Sequence, residues 1–453
     1  MTIELRTVDI PDFGIPLEQP AIPAATYESR CRTAFERAGC DWLIVYADRE
    51  HAANMAFLTG FEPRFEEALL LLGSGDRRIL VVGNENLSYA PVAGLPGLEV
   101  LLSQSLSLMG QDRSRKPSLA AVLRDCGLRQ GSTIGLVGWK YFEPEEWDDS
   151  SPGFFVPAFL TAILSRIAGE DAVKDVTAVL MHPATGLRAI IDADQIASFE
   201  WAAARASSAL WRIVRGVREG NSELEAASRM GYAGEAMNCH MMLASSDASQ
   251  PVIGLRSPTS RILRRGDGVS CALSYWGGLS SRAGLMTDDD DPFLTTAKAY
   301  FAGLVAWYEV ADIGVAGADI FDRVTETLAK GDLRSALNPG HLTGHDEWVH
   351  SPVRPGSRDS IASGMPFQVD IIPVPMPSGW TLNCEDAVTF ADERLREDLR
   401  RRHPRVFERI EARRTFVRDQ IGVEIRDSIL PMSSTPLCLP PFWLASHRLL
   451  ARC

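Results

Sequence analysis

The 453-residue chain has no basic excess, no paired cysteine motif and no long apolar run, and each absence closes a class of function. Its 46 Lys and Arg stand against 59 Asp and Glu, a formal charge of -13, so it has no basic surplus with which to displace counterions from nucleic-acid phosphates. The run Arg400, Arg401, Arg402 lies among Glu397, Asp398 and Glu408 on a helical pattern and reads as a solvated helix face. The eight cysteines (31, 40, 126, 239, 271, 384, 438, 453) are scattered without a CxxC pair, which argues for reduced thiols in a reducing compartment. No stretch approaches the ~20 apolar residues that span a bilayer. The N-terminal MTIELRTVDIPDF carries acidic residues and lacks the apolar core of a signal peptide. A cytoplasmic protein without nucleic-acid or membrane partners is expected. No internal repeat stands out, which argues against a solenoid.

What is present is the composition of a folded protein, 45% hydrophobic and 23% charged. At this length two domains are expected, 1–185 and 190–453. Residues 1 to 25 are proline-rich and read as an extended arm lying over the surface or over a partner subunit. Helical spacing at 27–38, a strand at 41–48, two strands around the Gly-Ser-Gly-Asp turn within 67–84, and a strand at 132–139 predict an α/β first domain. From Asp192 the pattern changes. Ile196, Phe199, Ala203, Ala206, Leu210, Ile213, Val214 and Val217 form one apolar helical stripe. Ser222 and Glu225 form a capping box, a long helix is predicted over 292–310, and 392–420 is charged and helical. The tail LPMSSTPLCLPPFWLASHRLL reads as an extended segment packing on the body or on a second subunit.

The chemistry gathers between Gly340 and Asp386, in GHLTGHDEWVH, GMPFQVD and NCEDAV. His341, His345 and His350 come first, then Asp370 at the end of a strand-like run, then Glu385 at the start of another. A histidine and two carboxylates converging from adjacent strands suit a metal ion or a cationic substrate, and can carry protons. The flanking glycines argue that His341 and His345 lie on strand or turn rather than on one helix face. The acidic run Asp288 to Asp291 before a helix reads as a solvated loop and cap. His240, beside Met241 and Met242, reads as a core residue.

Six motifs in order, NMAFLTGF, VREGNSELEAA, PTSRILRRGDGV, PGHLTG, SGMPFQVDIIP and CEDAVTF, resemble the creatinase, prolidase and methionine-aminopeptidase superfamily. The resemblance covers about residues 30 to 390. It implies an α/β N-terminal domain followed by an α+β pita-bread C-terminal domain, and a homodimer in which one N-terminal domain overhangs the partner's site. It also implies, for metal-dependent members, two divalent ions held by two aspartates, a histidine and two glutamates. His341 matches the histidine, Asp370 stands where a glutamate is usual, and Glu385 matches the last glutamate. The first aspartate position falls on Ala272 and the second on Arg282 or Ala283. Neither is a carboxylate.

Two close dications need bridging carboxylates to neutralise them, so the two-metal site is expected to be absent. No cofactor is expected; a single ion on His341, Asp370 and Glu385 is the metal-bound alternative. An inward-pointing Arg282 would oppose metal entry and pair with Asp370 or Glu385. The histidine that the family places before the GD strand falls on Leu255. In the first domain, Arg64 is a candidate for a substrate carboxylate, with a local ion pair to neighbouring glutamates as the alternative.

The expected activity is that of a metal-independent, creatinase-like enzyme hydrolysing a C–N bond, amide or amidine, of a small charged substrate. His341, Asp370 and Glu385 are its catalytic candidates, and Arg282, Arg64, His345 and His350 its substrate-binding candidates. A non-catalytic binding protein on the same fold and a single-metal Xaa-Pro peptidase are the alternatives. Trp276, Trp348 and Trp380 are candidates for the pocket wall or for ordinary core.

Overall fold

The computed structural model describes residues 2–114, 118–143, 146 and 153–453. The chain forms two compact units, Ile22–Ala189 and a second made of Met1–Ala21 with Ile190–Cys453. The first 21 residues thus join the second unit, whereas the sequence pattern groups 1–185 together. Ile3–Thr7 pairs antiparallel with Arg448–Arg452, so the arm and the tail of one chain satisfy each other's backbone groups.

In the unit Ile22–Ala189 a six-stranded mixed sheet runs in the order Glu99–Leu102, Arg77–Val82, Ala68–Gly73, Trp42–Ala47, Ile134–Val137, Val173–Asp175. The Gly-Ser-Gly-Asp turn joins two antiparallel strands as its composition predicts. The apolar runs of Trp42–Ala47 and Ala68–Gly73 alternate between two separate clusters, so each face of the sheet carries its own core.

The second unit is built on a seven-stranded sheet. Its path runs His341–Leu342, Pro366–Val369, Asn383–Phe390, Gly278–Leu285, Gly268–Tyr275, Met242–Ser246, with Ile429–Pro431 pairing on Asn383–Phe390. The stripe from Asp192 forms the helix Ala193–Gly216, opened by the Asp192 carboxylate, which accepts from Gln195 N–H at 2.9 Å. It packs on the face carrying Val269, Cys271, Leu273 and Tyr275. Close approach fixes Gly278: a Cβ there would lie 2.6 Å from Ala203 Cβ. The capping box is present at Glu223–Ala227, and Asp290 caps the helix Asp291–Val310 through Phe293 N–H at 2.9 Å. The charged segment forms the helices Glu393–Arg402 and Pro404–Phe416. Arg400 and Arg401 pair with Glu397 and Asp398 on the exposed face, and Arg402 with Asp194. Cys438, Leu439, Phe442 and Trp443 of the tail are buried. Among the described residues no helix is long and apolar enough to cross a membrane.

Candidate functional site

With Val269, Cys271 and Leu273 committed to the helix-covered face, strand alternation sends Ser270, Ala272 and Ser274 to the other. Register carries this across the sheet. Ser281 lies opposite both Ala272 and Glu385, and Ala283 opposite Ser270 and Asn383. Gln368 lies opposite His341 and Ala387, and Asp370 follows immediately after the strand Pro366–Val369. This register brings His341, Asp370 and Glu385 together. One ligand atom from each lies within 4.8 Å of the others, and the three residues are 1%, 6% and 5% exposed.

Burial dominates the electrostatics. It pushes the Asp370 carboxyl up to about 6, while His341 pulls it down and Glu347 adds to the rise. Burial likewise raises Glu385 well above the usual carboxylate range, reinforced by Asp370 and Glu347. At His341 burial opposes charging, but the hydrogen bond that its ring donates to Glu347 and the charges of Glu347 and Asp370 outweigh it and the net shift is upward. Burial, aided by the charges of Glu347 and Glu385, pushes the nearby Cys239 thiol up to about 12. The site is thus a buried acidic cluster around one imidazole.

Glu347 has no counterpart among the residues singled out from the sequence, yet its Oε1 lies 3.2 Å from His341 Nε2, nearer than Glu385 Oε1 at 4.0 Å. Trp348 stacks on the His341 ring at 4.1 Å between centroids and 18° between planes. The only local signal was a carboxylate beside a tryptophan in a histidine-rich loop. Its contact with His341 depends on the loop folding back.

Arg282 is corrected: it does not enter the pocket. Its side chain lies on the face opposite to Glu385, fully buried, with Nη2 at 2.9 and 3.0 Å from the two oxygens of Asp386. Its remaining donors reach the carbonyls of Ser281, Glu385, Thr435 and Cys438. Its partner is Asp386, neither Asp370 nor Glu385, and it ties the tail to the sheet. Of the two candidate positions for the second aspartate, only Ala283 shares the face of Ala272.

His345 sits edge-on to Phe199 at 5.5 Å and to Trp276 at 5.2 Å. His350 pairs through its backbone with Leu342. Arg64, in the other unit, pairs with Glu62 at 3.2 Å and donates to Tyr89 Oη at 2.8 Å, the local ion pair of the two expectations. Trp380 packs on Phe293. His240 is exposed, against the core placement expected for it, and Leu255 is 79% exposed.

The donor set fits one divalent cation. One imidazole nitrogen and two carboxylates converge, and Asp370 Oδ1 and Glu385 Oε1 have no hydrogen-bond partner among the described residues. It does not fit a bridged pair of ions, because methyl groups stand at 272 and 283 where bridging carboxylates would be needed.

In sequence, no family model and no curated protein matches this chain. In structure it is similar to dipeptidase PepE from Mycobacterium ulcerans, with a TM-score of 0.60 at 18% identity over 82% of this chain and 94% of that one. It is similar to the prolidase from Pyrococcus horikoshii OT3, with a TM-score of 0.61 at 15% identity over 81% and 95%. A putative aminopeptidase P from Bacillus anthracis aligns with a TM-score of 0.57 at 12% identity over 86% and 99%. The chain has the fold of the prolidases and X-Pro aminopeptidases, along nearly the whole length of each.

Proposed function

We propose that the chain hydrolyses a C–N bond of a small cationic substrate, amide or amidine, without a two-ion centre. One observation carries the reading: His341, Asp370 and Glu385 converge in a buried cluster, with two carboxylate oxygens that have no partner among the described residues. Buried acceptors without donors are costly, so the pocket suits a ligand that brings positive charge and hydrogen-bond donors. The raised pKa of Asp370 makes it a proton donor near pH 6, while His341 receives or delivers the proton at Nε2. The similar folds belong to proteins named as dipeptidases and prolidases, which act on peptide C–N bonds. Arg282 leaves the substrate-binding set. A cytoplasmic homodimer, with His345 and His350 contributing to substrate binding, belongs to the same proposal.

A second reading is favoured by the same 4.8 Å convergence: a single divalent ion on His341, Asp370 and Glu385, which would supply a Lewis acid to the scissile group. Metal content of the unchelated protein, measured with turnover on small amides, guanidines and Xaa-Pro dipeptides, separates the readings. Turnover that survives chelation, in a protein without stoichiometric metal, is the expected result. One ion per chain with chelator-sensitive turnover favours the second. A protein that turns over nothing, before and after divalent ions are added, is a binding protein, and the proposal falls.

A further inference from the structure

We propose that Glu347 is a fourth arm of this pocket, a loop-borne carboxylate that closes over His341 and binds the same cation; the proposal rests on reading the site as a cation pocket. The loop is built for the return. Leu342 N–H donates to His350 O at 2.7 Å and Val349 N–H to Leu342 O at 2.9 Å, so the chain between them doubles back over the start of the strand. Gly344 N–H donates to Asp346 O at 2.9 Å and tightens the turn. Glu347 and Trp348 then arrive beside His341, one at its Nε2 and the other flat on its ring.

The hydrogen-bond geometry shows what is missing at the centre. His341 Nδ1 lies 3.2 Å from the Leu342 carbonyl, which only accepts, so Nδ1 carries the hydrogen. In the neutral ring that leaves the Nε2 lone pair facing Glu347 Oε1 at 3.2 Å and Glu385 Oε1 at 4.0 Å. A lone pair facing two carboxylate oxygens is an arrangement that holds together only around positive charge. A proton on Nε2 answers Glu347 alone. Asp370 Oδ1 and Glu385 Oε1, both on residues more than nine-tenths buried, still lack a partner among the described residues. A cation with several binding directions, a divalent ion or an N–H-rich organic cation, answers all of them.

The test is isothermal titration of the full chain with two probes, Co2+ and methylguanidinium, for the native protein and for Glu347→Gln, Glu347→Asp and Asp370→Asn. For Co2+, the visible ligand-field spectrum is a second readout. Thermal midpoints check that each variant folds. Glu347→Gln is expected to weaken the probe that binds by tenfold or more, with Glu347→Asp recovering part of it and Asp370→Asn placing the loss in this pocket. Binding by Glu347→Gln within twofold of native overturns the role of Glu347 while leaving the pocket reading intact. Failure of both probes to bind the native chain overturns the pocket reading itself.

Discussion

Replacing Arg282 by Met separates the two places the residue can occupy. In the structure the guanidinium is fully buried and holds both oxygens of Asp386, whose other partners are Leu437 N–H at 2.9 Å and the Cys384 thiol. Met fills much of the volume but leaves Asp386 as a nearly unpaired buried charge and strands four carbonyls. Breaking one side of such a pair costs about 3–5 kcal/mol, a large part of the ~5–15 kcal/mol that holds a typical domain together. The double variant Arg282→Met/Asp386→Leu is expected to regain most of the loss, because an apolar pair of similar volume is close to neutral. Urea unfolding followed by tryptophan fluorescence gives the three free energies and the coupling between the two positions. A loss below about 1 kcal/mol in the single variant, accompanied by a raised KM, would refute this placement and return Arg282 to the pocket.

Other outcomes follow from the same geometry. Asp370 has a folded pKa of about 6 against 3.8 unfolded, so the native state binds the proton more tightly. Its contribution to stability is therefore present below pH 4 and lost as pH rises to about 6, a fall of roughly 3 kcal/mol that Asp370→Asn should flatten; unfolding curves for the two proteins that stay parallel from pH 4 to 7 would count against it. Ala272→Asp with Ala283→Asp should raise the number of Co2+ ions bound per chain, read by elemental analysis. Ala272→Asp with Arg282→Asp should instead unfold, because the second aspartate faces Asp386. Metal gain in that pair would mean the strand register is one residue off. Ser222→Ala removes the acceptor for Glu225 N–H at 3.2 Å and should cost about 1 kcal/mol in thermal unfolding.

Local chemistry was enough to write much of this structure in the sequence. The helix Ala193–Gly216 follows from its apolar stripe and the Asp192 cap, the hairpin from Gly-Ser-Gly-Asp, and the Asp290 cap from an acidic run before Pro292. His341, Asp370 and Glu385 were legible as a set because each begins or ends a short strand-like run, and the ends of neighbouring strands meet. Three features needed the tertiary structure. Whether Arg282 or Ala283 faces the pocket turns on a single residue of register, and one step along a strand exchanges the faces. Glu347 reaches His341 only through backbone pairing of Leu342 with Val349 and His350, a contact invisible to periodicity. The proline-rich arm finds its partner strand almost the full chain length away, at Arg448–Arg452, where only the fold brings the two ends together.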